Sequence, residues 1–278
     1  MADPYFALPG TNWSSLKIIA TSPKAYRHAL THPRGDSPTF QLGRMVHRLV
    51  LEPDTFADEF ITYDGVRNKR HKAYQTFLDA HLGKVPVKPG EVAHAIDMAT
   101  AVAAHPAAAV ILSSGSPELV MQWVEGGRKC KAKSDWLIES ATEEQAALLE
   151  VEPGACVVVE LKMTNNLAGF GREAAKYGYH GQLAHYAKGA EYRLGRPVDA
   201  VAIIAVHNVA PYDAGVFRLD AEARRAGAVY RQGLLSLLDE CEASDEWPGM
   251  WPGVHDLDLP AWADGVEEEL NFEVTDGE

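Results

Sequence analysis

Asp135 and the triplet Glu160-Leu161-Lys162 are the residues whose types and spacing could do chemistry. Glu160 and Lys162 end the run CVVVELKMT, residues 156–164. Its β-branched apolar residues read as a strand buried on both faces. Charges are rarely buried unless they are paired or bound to a metal. The two-residue period of a strand puts Glu160 and Lys162 on one face, and Lys129, Lys131, Lys133 and Asp135 on one face of the strand before it. Adjacent strands would bring Asp135 and Glu160 within reach of one ion. Two carboxylates that close cannot both ionise without a countercharge. A hard divalent cation such as Mg²⁺ supplies that charge and takes oxygen ligands. Lys162 would then lie near a metal-bound water, to orient or deprotonate it.

The elements that must hold these residues follow from the hydrophobic period. Residues 12–30 read as two short helices, with Ser14 or Ser15 as a cap for the first. Ser22-Pro23 is an N-cap followed by proline at the first helical position, and starts the second. SPTFQLGRMVHRLVLEP gives a third helix with Leu42, Met45, Val46, Leu49 and Val50 on its apolar face, ending before Pro53. VRNKRHKAYQTFLDAH is a basic stretch entering a helix, and residues 91–112 are Ala-rich and helical. The period then changes. ELVMQWVEG, KCKAKSDWLIES and ACVVVELKMT read as three strands, joined by a Gly-Gly turn and a longer acidic loop. A helix over about 172–194 follows, then strands DAVAIIAVHN and AGVFRLD, and a last helix over 220–242. This order predicts a mixed α/β sheet with one helical crossover, behind a helical N-terminal region. The expected layout is a helical region 1–112, a core 113–242 and an acidic Trp/Pro-containing tail 243–278, all in one structural domain.

The chain has 278 residues and a net charge of −13. Of its 39 acidic residues, 14 lie in 239–278, a stretch without Lys or Arg. The other 25 face all 26 Lys and Arg, so residues 1–238 carry +1. A neutral body can still carry a basic groove, because local clusters set the local field. Cys130, Cys156 and Cys241 form no CxxC pair, which argues against a zinc ribbon or a four-cysteine iron–sulfur cluster. No apolar run approaches the roughly 18 residues that suggest a membrane span, and no signal peptide is recognisable at the start. A reduced cytoplasm is the expected location.

Further residues fall in a telling order. His47 follows Gly43 by four residues on the third helix, at the edge of its apolar face. Glu118 opens the first strand. Gln182 and Tyr186 stand at i and i+4 after Lys162 and share a face with Tyr179. Singly, each has an ordinary explanation: a structural histidine, a solvated strand end, a half-buried helix stripe. As a set they resemble the PD-(D/E)xK nuclease superfamily, and within it the nuclease domain of exodeoxyribonuclease VIII, the RecE type of phages and prophages. The resemblance runs from SSLKIIATSPKAYRHAL through LGRMVHRLVLEP, GSPELVMQW, CKAKSDWL, VVVELKMT and KYGYHGQLAHYAKGA to LDLPAWA. Ser134 stands where the signature has proline, and Glu160 where aspartate is also common.

The resemblance implies a restriction-endonuclease-like core. His47, Asp135, Glu160 and the Leu161 carbonyl would bind the metal, with Glu118 holding a second ion or a metal water. Lys162 would position the nucleophilic water, and Gln182 and Tyr186 would support the site and touch DNA. It further implies Mg²⁺, with Mn²⁺ able to substitute, and phosphodiester hydrolysis at double-stranded DNA ends. That activity would resect the 5′ strand for a single-strand annealing recombinase, in a bacterial host cell. A homo-oligomeric ring is a family-level expectation. Arg67, Lys69, Arg70, Lys72, Lys129, Lys131 and Lys133 could hold the phosphate backbone without reading sequence. Rival readings are an endonuclease, a Cas4-like processing nuclease, and a non-catalytic protein that binds DNA ends.

Overall fold

The computed structural model describes residues 4–32 and 35–259. Residues 260–278, which include most of the acidic tail and the end of LDLPAWA, lie outside them. The N-terminal region holds α1 (Trp13–Leu16), α2 (Pro23–Thr31), α3 (Pro38–Leu51), α4 (Phe56–Glu59), β1 (Phe60–Thr62), α5 (Lys72–Ala80), β2 (Val85–Val87), α6 (Pro89–Ala104) and α7 (Pro106–Leu112). The core follows with β3 (Ser116–Glu125), β4 (Arg128–Ile138), α8 (Glu143–Leu149), β5 (Val157–Thr164), α9 (Phe170–Tyr177), α10 (Tyr179–Leu194), β6 (Ala200–His207), β7 (Ala214–Arg218) and α11 (Ala221–Ser244).

The five-stranded sheet has the order β3-β4-β5-β6-β7. β5 and β6 are parallel and the other pairs antiparallel. The α9–α10 crossover joins the parallel pair, as such a connection must. Alternation along the central strands feeds two apolar layers. Val157, Val159 and Leu161 pack with Met45 and Val46 of α3 and with Met98 and Val102 of α6. Cys156 and Val158 pack with Leu183 of α10, Leu238 of α11 and Trp13 of α1. The sheet is therefore covered on both faces, which is why β5 and β6 read as continuous apolar runs.

Several elements differ from the sequence expectation. Asn12, and not Ser14 or Ser15, caps α1, its side chain accepting from the Ser15 N–H at 2.9 Å. The acidic loop after β4 contains α8, started by a reciprocal Thr142–Gln145 capping box. The helix expected over 172–194 is two helices, broken at Gly178, whose φ of 68° is left-handed. Residues 91–112 likewise divide at His105-Pro106, where α6 and α7 bend by 89°. β1 and β2 pair in a small parallel sheet that nothing in the period announced. Among the described residues no single helix is long and apolar enough to cross a membrane.

Candidate active site at a strand fork

β4 and β5 pair only over Trp136–Ile138 and Val157–Val159. Beyond that the N-terminal segment takes the place beside β4. Thr11 donates its N–H to the Lys129 carbonyl and accepts from the Lys131 N–H, each at 2.9 Å. Gly10 permits this approach: its φ is 132°, and a Cβ there would lie 3.1 Å from the Cys130 carbonyl carbon. Lys131 locks the wedge from below. Its buried ammonium donates to the carbonyls of Tyr5, Phe6 and Leu8 at 3.0, 3.3 and 2.7 Å and lies over the Tyr5 ring. Lys131, expected as a surface cation on one face with Lys129, is thus buried against the N-terminal segment. The alternation itself holds there, since Cys130 and Ala132 pack into one apolar layer; what a strand pattern does not show is the N-terminal segment that covers Lys131 and leaves Lys129 exposed.

The candidate residues converge at the mouth of this fork. Pro117 pairs with Trp136 and Leu119 with Ser134, so Glu118 lies opposite Asp135. The same antiparallel register puts Asp135 level with Glu160, one step past the last β4–β5 pair. Three acidic residues thus stand at one level on three neighbouring strands. Glu118 has a left-handed backbone, φ 48°, which is strained for a residue with a side chain. Asp135 Oδ2 fills the gap between the strands by accepting from the Leu161 N–H at 2.8 Å.

Each layer of helices sends side chains into the fork. From α3, His47 reaches the Leu161 carbonyl through Nε2 at 3.2 Å, and its Nδ1 stands 3.6 Å from Asp135 Oδ1 and 3.9 Å from Glu118 Oε1. From α10, Gln182 donates through Nε2 to Glu160 Oε1 at 2.7 Å and to the Tyr186 hydroxyl at 3.0 Å. Lys162 also bonds Glu160 Oε1, and its ammonium lies 5.0 Å from the Tyr179 ring centre. Lys133 pairs with Glu118. Of the other expected DNA contacts, Arg67 is engaged with Glu91, while Lys69, Arg70, Lys72 and Lys129 are exposed.

The electrostatics favour a cation. Burial, with the Asp135 carboxylate beside it, pushes Glu160 up from 4.5 to about 7 against the pull of Lys162. Burial acts to raise Glu118 as well, but the neighbouring His47 and the Lys133 ammonium overcome it and hold that carboxyl at about 2. Burial disfavours charge on His47, yet Asp135 and Glu118 win and raise its pKa. Lys162 is raised in the same way, its burial outweighed by Glu160 and Asp135. Ligand atoms of His47, Glu118 and Asp135 all lie within 4.8 Å of one another. Glu160 Oε2 is buried with no hydrogen-bond partner among the described residues, so its lone pairs are available to a cation. Together these donors, mostly oxygen with one imidazole, fit a hard divalent ion.

A pH prediction follows from Glu160. Its carboxyl ionises near 4.5 in the unfolded chain but keeps its proton to about 7 when folded. The folded state binds more protons in that window, so stability falls as pH rises through it. The raised His47 continues the fall above its ordinary 6.5. Thermal melts of metal-free protein should therefore drop from pH 5 to 8. Glu160→Gln should flatten the drop, and Mn²⁺ should reverse it. A flat profile in the unmodified protein would contradict the buried-acid reading.

Comparison with known proteins agrees with this geometry. Residues 12–253 match the model of a family described as "PDDEXK-like domain of unknown function (DUF3799)". A crystal structure from Eubacterium rectale, described as a "Putative exonuclease", shares the fold at a TM-score of 0.55 and 12% identity, over 92% of each chain. No curated protein matches the chain. With the family model spanning nearly all of the described residues over a restriction-endonuclease-like core, the chain belongs to this PDDEXK-like family, within the PD-(D/E)xK nuclease superfamily.

Proposed function

We propose that this protein is a metal-dependent exonuclease that hydrolyses phosphodiester bonds at double-stranded DNA ends. The observation that carries the proposal is the cluster of His47, Glu118 and Asp135 ligand atoms at the fork, next to a strand whose buried Glu160 is paired with Lys162 and has one oxygen unpartnered among the described residues. His47, Asp135, Glu160 and the Leu161 carbonyl would hold Mg²⁺, or Mn²⁺, with Glu118 holding a second ion or a bound water. The ion supplies Lewis-acid polarisation of the phosphate and a water of lowered pKa.

The chain's own groups do the rest. Glu160 and Asp135 keep Lys162 as an ammonium. It therefore donates hydrogen bonds to the attacking water or to a phosphate oxygen and does not take a proton. Gln182 and Lys162 both bond Glu160 Oε1 and leave Oε2 free to ligate. Tyr186 steadies Gln182 from below. The exposed Lys69, Arg70, Lys72 and Lys129 would track phosphates, and Arg67 and Lys133 could join them by exchanging partners. The name of the Eubacterium rectale neighbour supports the choice of an exonuclease. The narrower likeness to exodeoxyribonuclease VIII adds resection of the 5′ strand in the cytoplasm, an annealing recombinase as partner, and a homo-oligomeric ring.

The product class tests the activity. With Mg²⁺, linear duplex should be degraded from its ends while closed circular duplex stays intact, because a closed circle offers no end to thread into the fork. Nicking or linearisation of the circle at a comparable rate would favour an endonuclease. Binding of ends without cleavage in either Mg²⁺ or Mn²⁺ would favour a non-catalytic role.

A further inference from the structure

Lys162 does not end the line of charges at the site. Its ammonium lies over the Tyr179 ring, whose centre is 5.8 Å from that of Tyr177, at an interplanar angle of 31°. Lys176 in turn lies 5.4 Å over the Tyr177 ring. Two rings flanked by two cations thus lead from the buried Glu160 out to Tyr177, which is 44% exposed.

This arrangement depends on a local break. In a continuous helix, residues at i and i+2 point to different sides and cannot face each other. Tyr177 ends α9 and Tyr179 begins α10, and the left-handed Gly178 between them turns the two rings together. The break is also fixed from behind, where a Cβ on Gly178 would lie 3.2 Å from the Tyr230 ring. An exposed aromatic alone needs no explanation. Here it is joined to the candidate catalytic lysine through a second ring, and Arg172 and Lys176, i and i+4 on α9, are both exposed on the helix that Tyr177 ends. Positive side chains interleaved with rings are the chemistry that binds a single strand, with bases on the rings and phosphates on the cations.

We propose that Tyr177 and Tyr179 form a nucleobase-stacking platform that receives the unpaired end of a nucleic-acid strand at the mouth of the fork. Tyr177 takes the first base, and Arg172 and Lys176 take the flanking phosphates. The inference rests on the nuclease reading and adds to it the state of the substrate, a frayed and not a fully paired end.

The test compares two sets of duplexes with short 5′ or 3′ overhangs, identical except that one set has abasic overhang residues. Affinities are measured with Ca²⁺ in place of Mg²⁺, with the DNA checked as uncut. The unmodified protein should bind one base-bearing overhang about tenfold more tightly than its abasic counterpart. Tyr177→Ala should erase that preference with an unchanged thermal melt, and Tyr177→Phe should restore it. Equal affinity for base-bearing and abasic overhangs in the unmodified protein would overturn the platform, as would a preference that survives Tyr177→Ala. If the protein still cuts DNA in that case, the nuclease reading stands without the platform. If it neither binds nor cuts, both fall.

Discussion

Asp135→Asn is expected to lower DNA hydrolysis by on the order of a thousandfold while the protein stays folded. The asparagine amide oxygen can still accept from the Leu161 N–H, which Asp135 Oδ2 accepts from at 2.8 Å. That matters because a buried donor left unpaired costs about 1–3 kcal/mol, and Asp135→Ala would incur it. What Asn removes is the charge at the centre of the fork, between His47 and Glu160. Losing about 4 kcal/mol of transition-state charge stabilisation corresponds to about a factor of 10³ in rate. Burial is the main reason that Glu160 is raised, and the same substitution removes the Asp135 repulsion that adds to it, so stability above pH 7 should rise. A variant that keeps near-normal hydrolysis would remove Asp135 from the site.

Lys162→Ala should separate turnover from metal binding. The ammonium is a donor and not a ligand, so its loss should cost roughly 10²–10³ in rate, the usual effect of deleting one positioned hydrogen-bond donor. Glu160 Oε1 would keep its bond from Gln182 at 2.7 Å. Removing a positive charge from beside the fork should leave Mn²⁺ affinity unchanged or higher. If calorimetry shows Mn²⁺ affinity falling tenfold, Lys162 holds the site together structurally and its proposed role is wrong.

The parts of the fold that the sequence displayed are those set by local period. The apolar runs around Val158 and Ile203 read as central strands, and Ser22-Pro23 reads as a helix start. The crossover topology followed from their order. The fork did not, because it depends on a long-range event: residues 5–11 displacing β5 from the edge of β4, with Lys131 as the clasp. A lysine in an alternating strand reads as a surface charge, and nothing local says that three carbonyls await it. Glu118 shows the same limit, since its left-handed backbone opposite Asp135 has no glycine or asparagine to announce it. Gly178 was visible and could have marked the break between α9 and α10. Helical period on both sides masked it, and with it the pairing of Tyr177 with Tyr179. The Thr142–Gln145 box was equally plain but sat in a stretch whose acidity suggested a loop.

The central claim is that the fork between β4 and β5 is a divalent-metal centre. Anomalous diffraction from crystals grown with Mn²⁺ tests it most directly. An anomalous peak is expected within ligand distance of Asp135 and Glu160 Oε2, with His47 or Glu118 adjoining it, and should disappear in Asp135→Asn. Manganese bound elsewhere with the fork vacant, at a pH above 7 where Glu160 is ionised, would contradict it.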